Sequence, residues 1–483
     1  MLGCKTAHLA RNSRVAAPII PLADAFAPAT SADWLAVVEK TLKGAGADTL
    51  ISHTADGLPI LPLYSAAEAG RPLPFTPPAP SAQGGWDIRA VVAQADPAAA
   101  NAAALQALSG GAASILVKTA TSNDLAQVLD GVMTDLAPVA LDAGFDGVEA
   151  AEALARIAKA APAAPLALHL DPLSAFAASG ASPGPIEGHI ARAAGFAAGL
   201  IDIYPRASLF LARGAVIHEA GGSPAWELGF AMAAAVAYAK ALVAAGATID
   251  TAFERIVLGV VAEAEPLTAI AKLRAARVLW TRVTQACGVA APARIEARSS
   301  RRMLTRADRW TNLMRLTSAG FSAAVGGADA VVLGAFTDAI GGADAFALRM
   351  ARNTQLILME EAHLGRVTDP AGGSWAFESQ TAELSRAAWA VFVEIEGHGG
   401  AAAALMNGVI ASAVGRSRDA LKTAISGRGL RILGVTDFPS DEPPPSSGPP
   451  SGPETAFSSR ARVVGDDSAC PPLLATRLEE LAR

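Results

Sequence analysis

The chain of 483 residues is short of charge, of aromatic side chains and above all of cysteine: 17% of residues are charged, 5% are aromatic and only three are cysteines. With 39 basic against 45 acidic side chains the formal charge is -6, so no basic excess is available for the broad cationic face of a nucleic-acid binder. Cys4, Cys287 and Cys470 are widely separated, without a CxxC pair or a metal-ligand spacing. A disulfide framework is thereby excluded, a reducing, cytoplasmic setting is the default, and Cys287 reads as core filling. None of the seven histidines, His8, His53, His169, His189, His218, His363 and His398, pairs with another at i,i+4 on a helix, so no metal site is expected. No GxSxG elbow occurs, which removes the usual local geometry of Ser/His/Asp hydrolysis. No GxGxxG or GxxxxGK[ST] turn follows a first strand, as a nucleotide-binding open sheet would require. Nor is there a run of about 18 strongly apolar, uncharged residues, so no membrane span is expected; much of the 52% hydrophobic content is alanine, as in 98–104.

What is present falls into zones. Residues 1–23 carry Lys5, Arg11 and Arg14 and no acid before Asp24, which favours a disordered start over a transit peptide. The expected organisation is a flexible N-terminus (1–30), an N-terminal helix and extended arm (31–85), a large α/β domain (86–439) and a proline-rich linker with a short tail (440–483). Trp34, Val37, Val38 and Leu42 recur at helical spacing, and the proline-punctuated stretch after them reads as an extended arm lying on something else. From 86 to 439, short apolar runs alternate with longer helical ones. Strands are expected at 113–118, 139–142, 166–170, 215–219, 256–262, 293–298 and 331–336. They lack strict polar alternation, as in a parallel sheet covered on both faces. Pro266 marks a helix start, Ile270, Leu273, Ala276, Trp280 and Val283 its buried stripe, and Gly288 its stop. The pairs Gly326-Gly327 and Gly341-Gly342 read as turns or caps. Repeated β-then-α without a nucleotide turn favours a (β/α)8 barrel over the doubly wound sheet, with seven strands visible and the eighth unplaced. After the linker, 473–481 reads as a short helix that must dock to persist.

The candidates for chemistry are few. His169 and His218 lie on or at the end of expected strands, where catalytic side chains of a barrel gather, although a hydrogen-bonded core histidine is the commoner situation. Asp142, Asp171, Glu219, Glu263 and Glu296, near strand ends, could supply an acid and a base. Arg294, Arg298, Arg301, Arg302, Arg306 and Arg309 form a dense cationic run suited to phosphate or to ion pairs at a subunit contact.

Several stretches together resemble the methylmalonyl-CoA mutase family. They are Lys40-Thr41-Leu42-Lys43-Gly44 with Thr54-Ala55-Asp56-Gly57-Leu58 and Pro62-Leu63-Tyr64; Glu219-Ala220-Gly221; Arg352-Asn353-Thr354-Gln355 followed by Glu360-Glu361; Asp369-Pro370-Ala371-Gly372-Gly373-Ser374-Trp375; and Gly434-Val435-Thr436-Asp437-Phe438-Pro439. The resemblance spans roughly 33–439 and makes Glu219, Arg352, Asn353, Gln355, Glu360 and Asp369 the family-motif residues. It implies a barrel whose axial channel admits acyl-CoA, capped by a domain that holds adenosylcobalamin, the cofactor supplying the radical chemistry that converts methylmalonyl-CoA to succinyl-CoA.

The departures from the family pattern are as informative. Where catalytic chains carry Tyr-His-Met, whose His contacts the substrate thioester, this one has Ala215, Val216 and Ile217; His218 falls two positions later, on the same side only if that strand is regular. A Thr-Ser-Gly-Trp run is matched by Ser299, Ser300, Arg301 and Arg302, which implies a filled channel, and Arg298, Arg301 and Arg302 become channel-plugging or interface candidates. The tyrosine-bearing segment after Phe-Pro-Phe-Thr is absent, and no Asp-x-His-x-x-Gly motif offers cobalt a histidine. The pattern resembles the small, non-catalytic chain of a heterodimeric member. Its partner would be a large catalytic subunit binding both acyl-CoA and adenosylcobalamin, with the arm wrapping that partner across an interface of about 2,000 Å² or more. On this reading the chain itself has no catalytic residue, metal or cofactor, and neither nucleic acid nor membrane is a partner. The alternatives are a stand-alone acyl-CoA mutase barrel served by a separate cobalamin-domain protein, and a barrel that binds CoA as a regulator.

Overall fold

The computed structural model describes residues 27, 29–66, 72–77, 84–118, 124–439 and 465–482. Cys4, His8, the 1–23 segment and most of the proline-rich linker lie outside the described residues. Eight parallel strands close into a barrel: β1 (Asp87–Val92), β2 (Ser114–Val117), β3 (Val139–Leu141), β4 (Ala167–Leu170), β5 (Ser208–Arg213), β6 (Ile256–Ala262), β7 (Ile295–Ser299) and β8 (Ala330–Val332). The ring closes where Ala330 pairs with Asp87 and Val331 with Ile88. Helices surround the strands, so the fold is the (β/α)8 barrel that the alternation of elements implied.

The run 256–262 forms β6 at its expected bounds, and five other expected strands form with their ends shifted by a few residues. The one expected at 215–219 does not form. The chain turns at Gly214, where a Cβ would come within 2.4 Å of the Glu227 carbonyl oxygen, and Ala215–Glu219 then winds into a short helix. The β-branched pair Val216-Ile217 suggested a strand, but the ladder ends at Gly214, whose amide donates to Gly259. The real fifth strand is Ser208–Arg213, and the unplaced one is Asp87–Val92.

Pro97, Pro172, Pro224 and Pro266 stand at the first turns of the helices Pro97–Ser109, Pro172–Ser179, Pro224–Ala244 and Pro266–Ala286, where the missing amide costs nothing. Asp96, Asp171 and Glu265 cap three of them through side-chain oxygens, a contribution of about 1 kcal/mol each. Ile270, Leu273, Ala276, Trp280 and Val283 are buried as expected. Cys287 is not core filling: it is exposed, because it forms the C-cap of its helix and the helix ends before the residue can return to the core. The helix Pro224–Ala244 is long and apolar enough to cross a membrane by length and composition, and is mostly buried in the barrel wall.

The chain divides into two units, residues 1–52 and 53–483. In the first, Thr30 and Asp33 form a reciprocal capping box that starts the helix Ser31–Thr41, none of whose residues is buried. In the second, the turn from Thr54 to Leu58 aims the Asp56 carboxylate at the amide of Ala225, at the start of Pro224–Ala244. Pro59 and Tyr64 both accept from Gln380. Among the described residues of the tail, Leu478–Leu481 is the only α-helix, after a 3-10 turn at Asp466–Ser468. The amides of Thr476 and Leu478 donate instead to Glu219 and Arg302, so the 473–477 stretch stays extended and no helix forms over it.

Candidate functional site

Alternate residues of a barrel strand face its interior, and here those positions hold charge. Beginning at β1, the Arg89 guanidinium reaches Asp87 at 2.6 Å and Glu296 of β7 at 2.5 Å, and donates to Ser114. Glu296 also accepts from Arg298 at 2.8 Å, Arg298 pairs with Asp142 at 2.9 Å, and Asp142 with Arg213 at 2.9 Å. Arg213 lies 3.5 Å from Asp171, whose other oxygen accepts from the Tyr238 hydroxyl at 2.6 Å. Acid and base thus alternate from β1 across β7 and β3 to the ends of β5 and β4. Leu116, Ala140, Ala167 and Val332 form the small apolar layer beside this string.

The string's electrostatics follow from its order. Burial alone would raise the carboxyl groups of Glu296 and Asp142, but Arg298 and Arg89 around the first, and Arg213 and Arg298 around the second, outweigh it and hold both well below the usual range. Asp171, at the end of the string, is pushed up by burial to about 6, with Arg213 and its hydrogen bonds only partly offsetting this. His169 sits on β4 with φ +48°, a left-handed conformation at a register irregularity. Among the described residues neither of its ring nitrogens has a hydrogen-bond partner, and burial pushes its pKa down to about 3.

A second cluster lies nearer the C-terminal mouth. Glu227 is fully buried, accepts from the Val261 amide at 2.6 Å and holds Lys272 at 2.7 Å, while Lys272 also lies 3.6 Å from Glu263. His218 contacts Ser300 at 2.9 Å and Glu227 at 3.5 Å. Arg302 donates to the carbonyls of His218 and Gly222 and reaches Glu263 at 3.4 Å. The Glu219 carboxylate accepts the amides of Arg301 and Arg302, fixing the loop after β7.

The candidate residues are therefore distributed, not convergent. Arg298 belongs to the axial string and Arg302 to the second cluster. Arg294 is exposed and Arg309 stacks on Trp310, so the arginine run forms no phosphate cradle. Of the carboxylates offered as an acid and base, each is engaged by cations or backbone amides. Glu219 stands at the mouth. Arg352, Asn353 and Gln355 lie outside the barrel on the helix Ala345–Leu356, where Gln355 accepts from the Trp86 indole and Arg352 packs on Gly110. Glu360 is exposed. Asp369 makes a bidentate pair with Arg274, which also reaches Glu378 and Thr381; the Asp-Pro-Ala-Gly-Gly-Ser motif clamps Trp375–Gly397 onto Pro266–Ala286. Val216 is buried on a helical turn, and His218, two positions on, points to a different side.

Sequence reasoning missed Arg89, Arg213, Glu227, Lys272 and Arg274. For Arg89 a signal existed: Asp87-Ile88-Arg89-Ala90-Val91 alternates with period 2, as does Ile295-Glu296-Ala297-Arg298. Glu227 is the one acid of the helix Pro224–Ala244, and Lys272 is one of four cations on Pro266–Ala286; nothing local marks them as partners.

A family model of methylmalonyl-CoA mutase matches residues 111–460. The small subunit of methylmalonyl-CoA mutase from Streptomyces virginiae is 39% identical over 469 residues, covering 90% of this chain and 75% of the relative. A probable small subunit from Mycobacterium tuberculosis (strain ATCC 25618 / H37Rv) is 38% identical, covering 87% and 71%, and that of Propionibacterium freudenreichii subsp. shermanii is 33% identical, covering 87% and 70%. The chain belongs to the methylmalonyl-CoA mutase family.

Within that family the sequence bears on the cofactor. Holding cobalamin through an Asp-x-His-x-x-Gly motif requires an aspartate two residues before a histidine and a glycine three after it; Glu187, Glu361 and Glu396 precede His189, His363 and His398 at that spacing, but no histidine of the sequence has the aspartate. The histidines of this sequence do not fit that motif.

Of the perturbed groups around the axial string, His169 and Asp171 are the two whose folded values fall between 3 and 6, and they give a pH signature. An unfolded histidine titrates near 6.5, so the stability that His169 contributes by staying neutral is lost as pH falls from 6.5 toward 3. Asp171 works the other way: its stability is present below 3.8 and lost as pH rises through about 6. Between pH 4 and 6 the two oppose each other at about 1.4 kcal/mol per pH unit each. The urea midpoint of His169→Asn, which tolerates the left-handed backbone, should therefore fall relative to that of the native chain as pH rises from 4.5 to 6. A variant whose profile runs parallel to the native one would refute this assignment.

Proposed function

We propose that this chain is the small, non-catalytic subunit of an adenosylcobalamin-dependent methylmalonyl-CoA mutase, working in the cytoplasm in a heterodimer with a large subunit. The large subunit binds the acyl-CoA and the cofactor and converts methylmalonyl-CoA to succinyl-CoA, a step of propionate metabolism. The observation that carries the reading is the axial string: ion-paired side chains from Arg89 to Asp171 occupy the barrel interior through which the resemblance would route acyl-CoA. Drawing substrate through it would strip several buried charges of their partners, each at a cost of about 3–5 kcal/mol. The thioester-histidine position, Val216, offers no proton or hydrogen bond, and His218 is already held by Ser300 and Glu227. What remains for the chain is support, in which its arm, its exposed apolar side chains and a rigid barrel stabilise and position the partner.

The test is co-expression with and without a large mutase subunit, followed by sizing and a mutase assay. A stable heterodimer with activity is expected, and no turnover by the isolated chain supplied with adenosylcobalamin and methylmalonyl-CoA. Succinyl-CoA formed by the isolated chain, or no affinity for the large subunit, would overturn the reading.

A further inference from the structure

We propose that residues 465–482 form a self-docked strap that closes the C-terminal mouth of the barrel and releases as a unit while the barrel stays folded. The strap runs as a chord across the loops that follow β4, β5 and β7. Ala469 bridges to Ala181, Ser182 donates to Ser468, Cys470 to Gly180 and Leu473 to Ala177. Further along, Thr476 donates to Glu219 and Leu478 to Arg302, and the Glu479 carboxylate accepts from the Arg306 amide. Two of the four residues it holds by their carbonyls, Glu219 and Arg302, are those that brace the inner cluster of His218, Glu227, Lys272 and Glu263. The strap is thus the outermost layer over the deepest charged group at the mouth.

Its manner of attachment makes it separable. The hydrogen bonds to the mouth are mostly between backbone groups, and none belongs to the barrel ladder. On release, the carbonyls of Ala177, Gly180, Glu219 and Arg302 face water, so no donor or acceptor is stranded in the core. Cys470 and Leu473 are its buried apolar anchors, with Ser468 and Glu479 the buried polar ones, while Leu474 is 64% exposed, and its helical segments are one 3-10 turn, Asp466–Ser468, and one α-helix of four residues. Two apolar anchors and a few backbone hydrogen bonds to loops are the composition of a unit that opens below the global unfolding free energy. The proposal does not depend on the small-subunit reading, since every contact is within this chain.

The chain carries its own probe. Cys470 is buried with its thiol against the Phe176 carbonyl, and burial pushes it up to about 12; Cys287 is exposed. In the native full-length protein, a thiol reagent followed by peptide mapping should label Cys287 at least on the order of 100-fold faster than Cys470. Leu473→Asp should bring Cys470 to within a few fold of Cys287 without changing the far-ultraviolet circular dichroism. A second readout avoids the thiol: ending the chain at residue 464 should free the amides of Ser182 and Arg306 to exchange while those of β6 stay protected. Equal labelling of the two cysteines in the native protein would overturn docking. Cys470 labelling at the global unfolding rate, or loss of β6 protection on truncation, would overturn release as a unit.

Discussion

Glu296→Ala should destabilise the folded chain by about 3–5 kcal/mol, the usual consequence of leaving a buried charge without its partner. Glu296 is fully buried and is the only acid that touches both Arg89 and Arg298 in the string. Removing it leaves Arg298 to Asp142 alone, and Arg89 to Asp87, which is also committed to Ser114. Neither guanidinium can shed its charge by giving up a proton, so the cost appears as lost stability. The measurement is the urea midpoint at constant m-value. Because the penalty comes from stranded charge and not from lost packing, replacing the ion pair on both sides, Glu296→Leu with Arg89→Met, should recover most of it. A loss below about 1 kcal/mol in the single variant would show that water or side-chain motion neutralises the string and that it does not rigidly fill the axis.

Lys272→Met should be comparably damaging, at about 3–5 kcal/mol at pH 7, but with a dependence on acidity between pH 7 and 5 that Glu296→Ala, which removes a carboxylate ionised throughout that window, lacks. Lys272 is the cation between Glu227 and Glu263. Burial works to raise both carboxyl groups, yet Lys272 above all keeps them low, Glu263 to about 2. With methionine in its place, Glu227 faces His218 and the Val261 amide and has every reason to take up a proton. Its folded-state pKa then rises above the unfolded value, so the variant binds more protons folded than unfolded and gains stability relative to the native chain as pH falls from 7 toward 5. A deficit that is the same at both pH values would mean that Glu263, not Glu227, carries the orphaned charge to solvent.

What could be read from the sequence followed the strength of each local signal. The run Ile256–Ala262 carries no polar side chain and is β-branched at four of its seven positions, and it forms a strand at its expected bounds. At 215–219 the same kind of signal misled, because a pair of β-branched residues says nothing about the Gly214 turn forced by the Glu227 carbonyl. Asp87–Val92 escaped notice for the opposite reason. It alternates charge with apolar side chains, and an expectation of an apolar lumen hides a strand whose inward face is ionic. The family resemblance located the barrel and pointed at Val216, Arg298 and Arg302, yet of the partners that give those arginines meaning only Glu296 shares the strand of Arg298, while Asp142 and Glu263 come from the ends of other strands. Ion pairs spanning 156 residues, as between Arg298 and Asp142, leave no trace in local spacing. His169 and His218 were recognisable as residues at strand ends, but their burial, the φ of the first and the neighbours of the second exist only once the barrel has closed.

The pair formed by Arg89 and Glu296 joins residues 207 positions apart, and that separation sets a timetable for the ribosome. The first strand leaves the exit tunnel with a cation that has no interior to enter until the seventh has been made. Assembly of the lumen must therefore wait for the last quarter of the barrel sequence, and slow long-range closure of this kind leaves the half-made chain exposed in the meantime. The alanine-rich helix Pro224–Ala244 is finished well before the helix Trp375–Gly397 that packs on it, so a growing chain displays to the cell, for a time set by translation speed, a segment that resembles a membrane anchor.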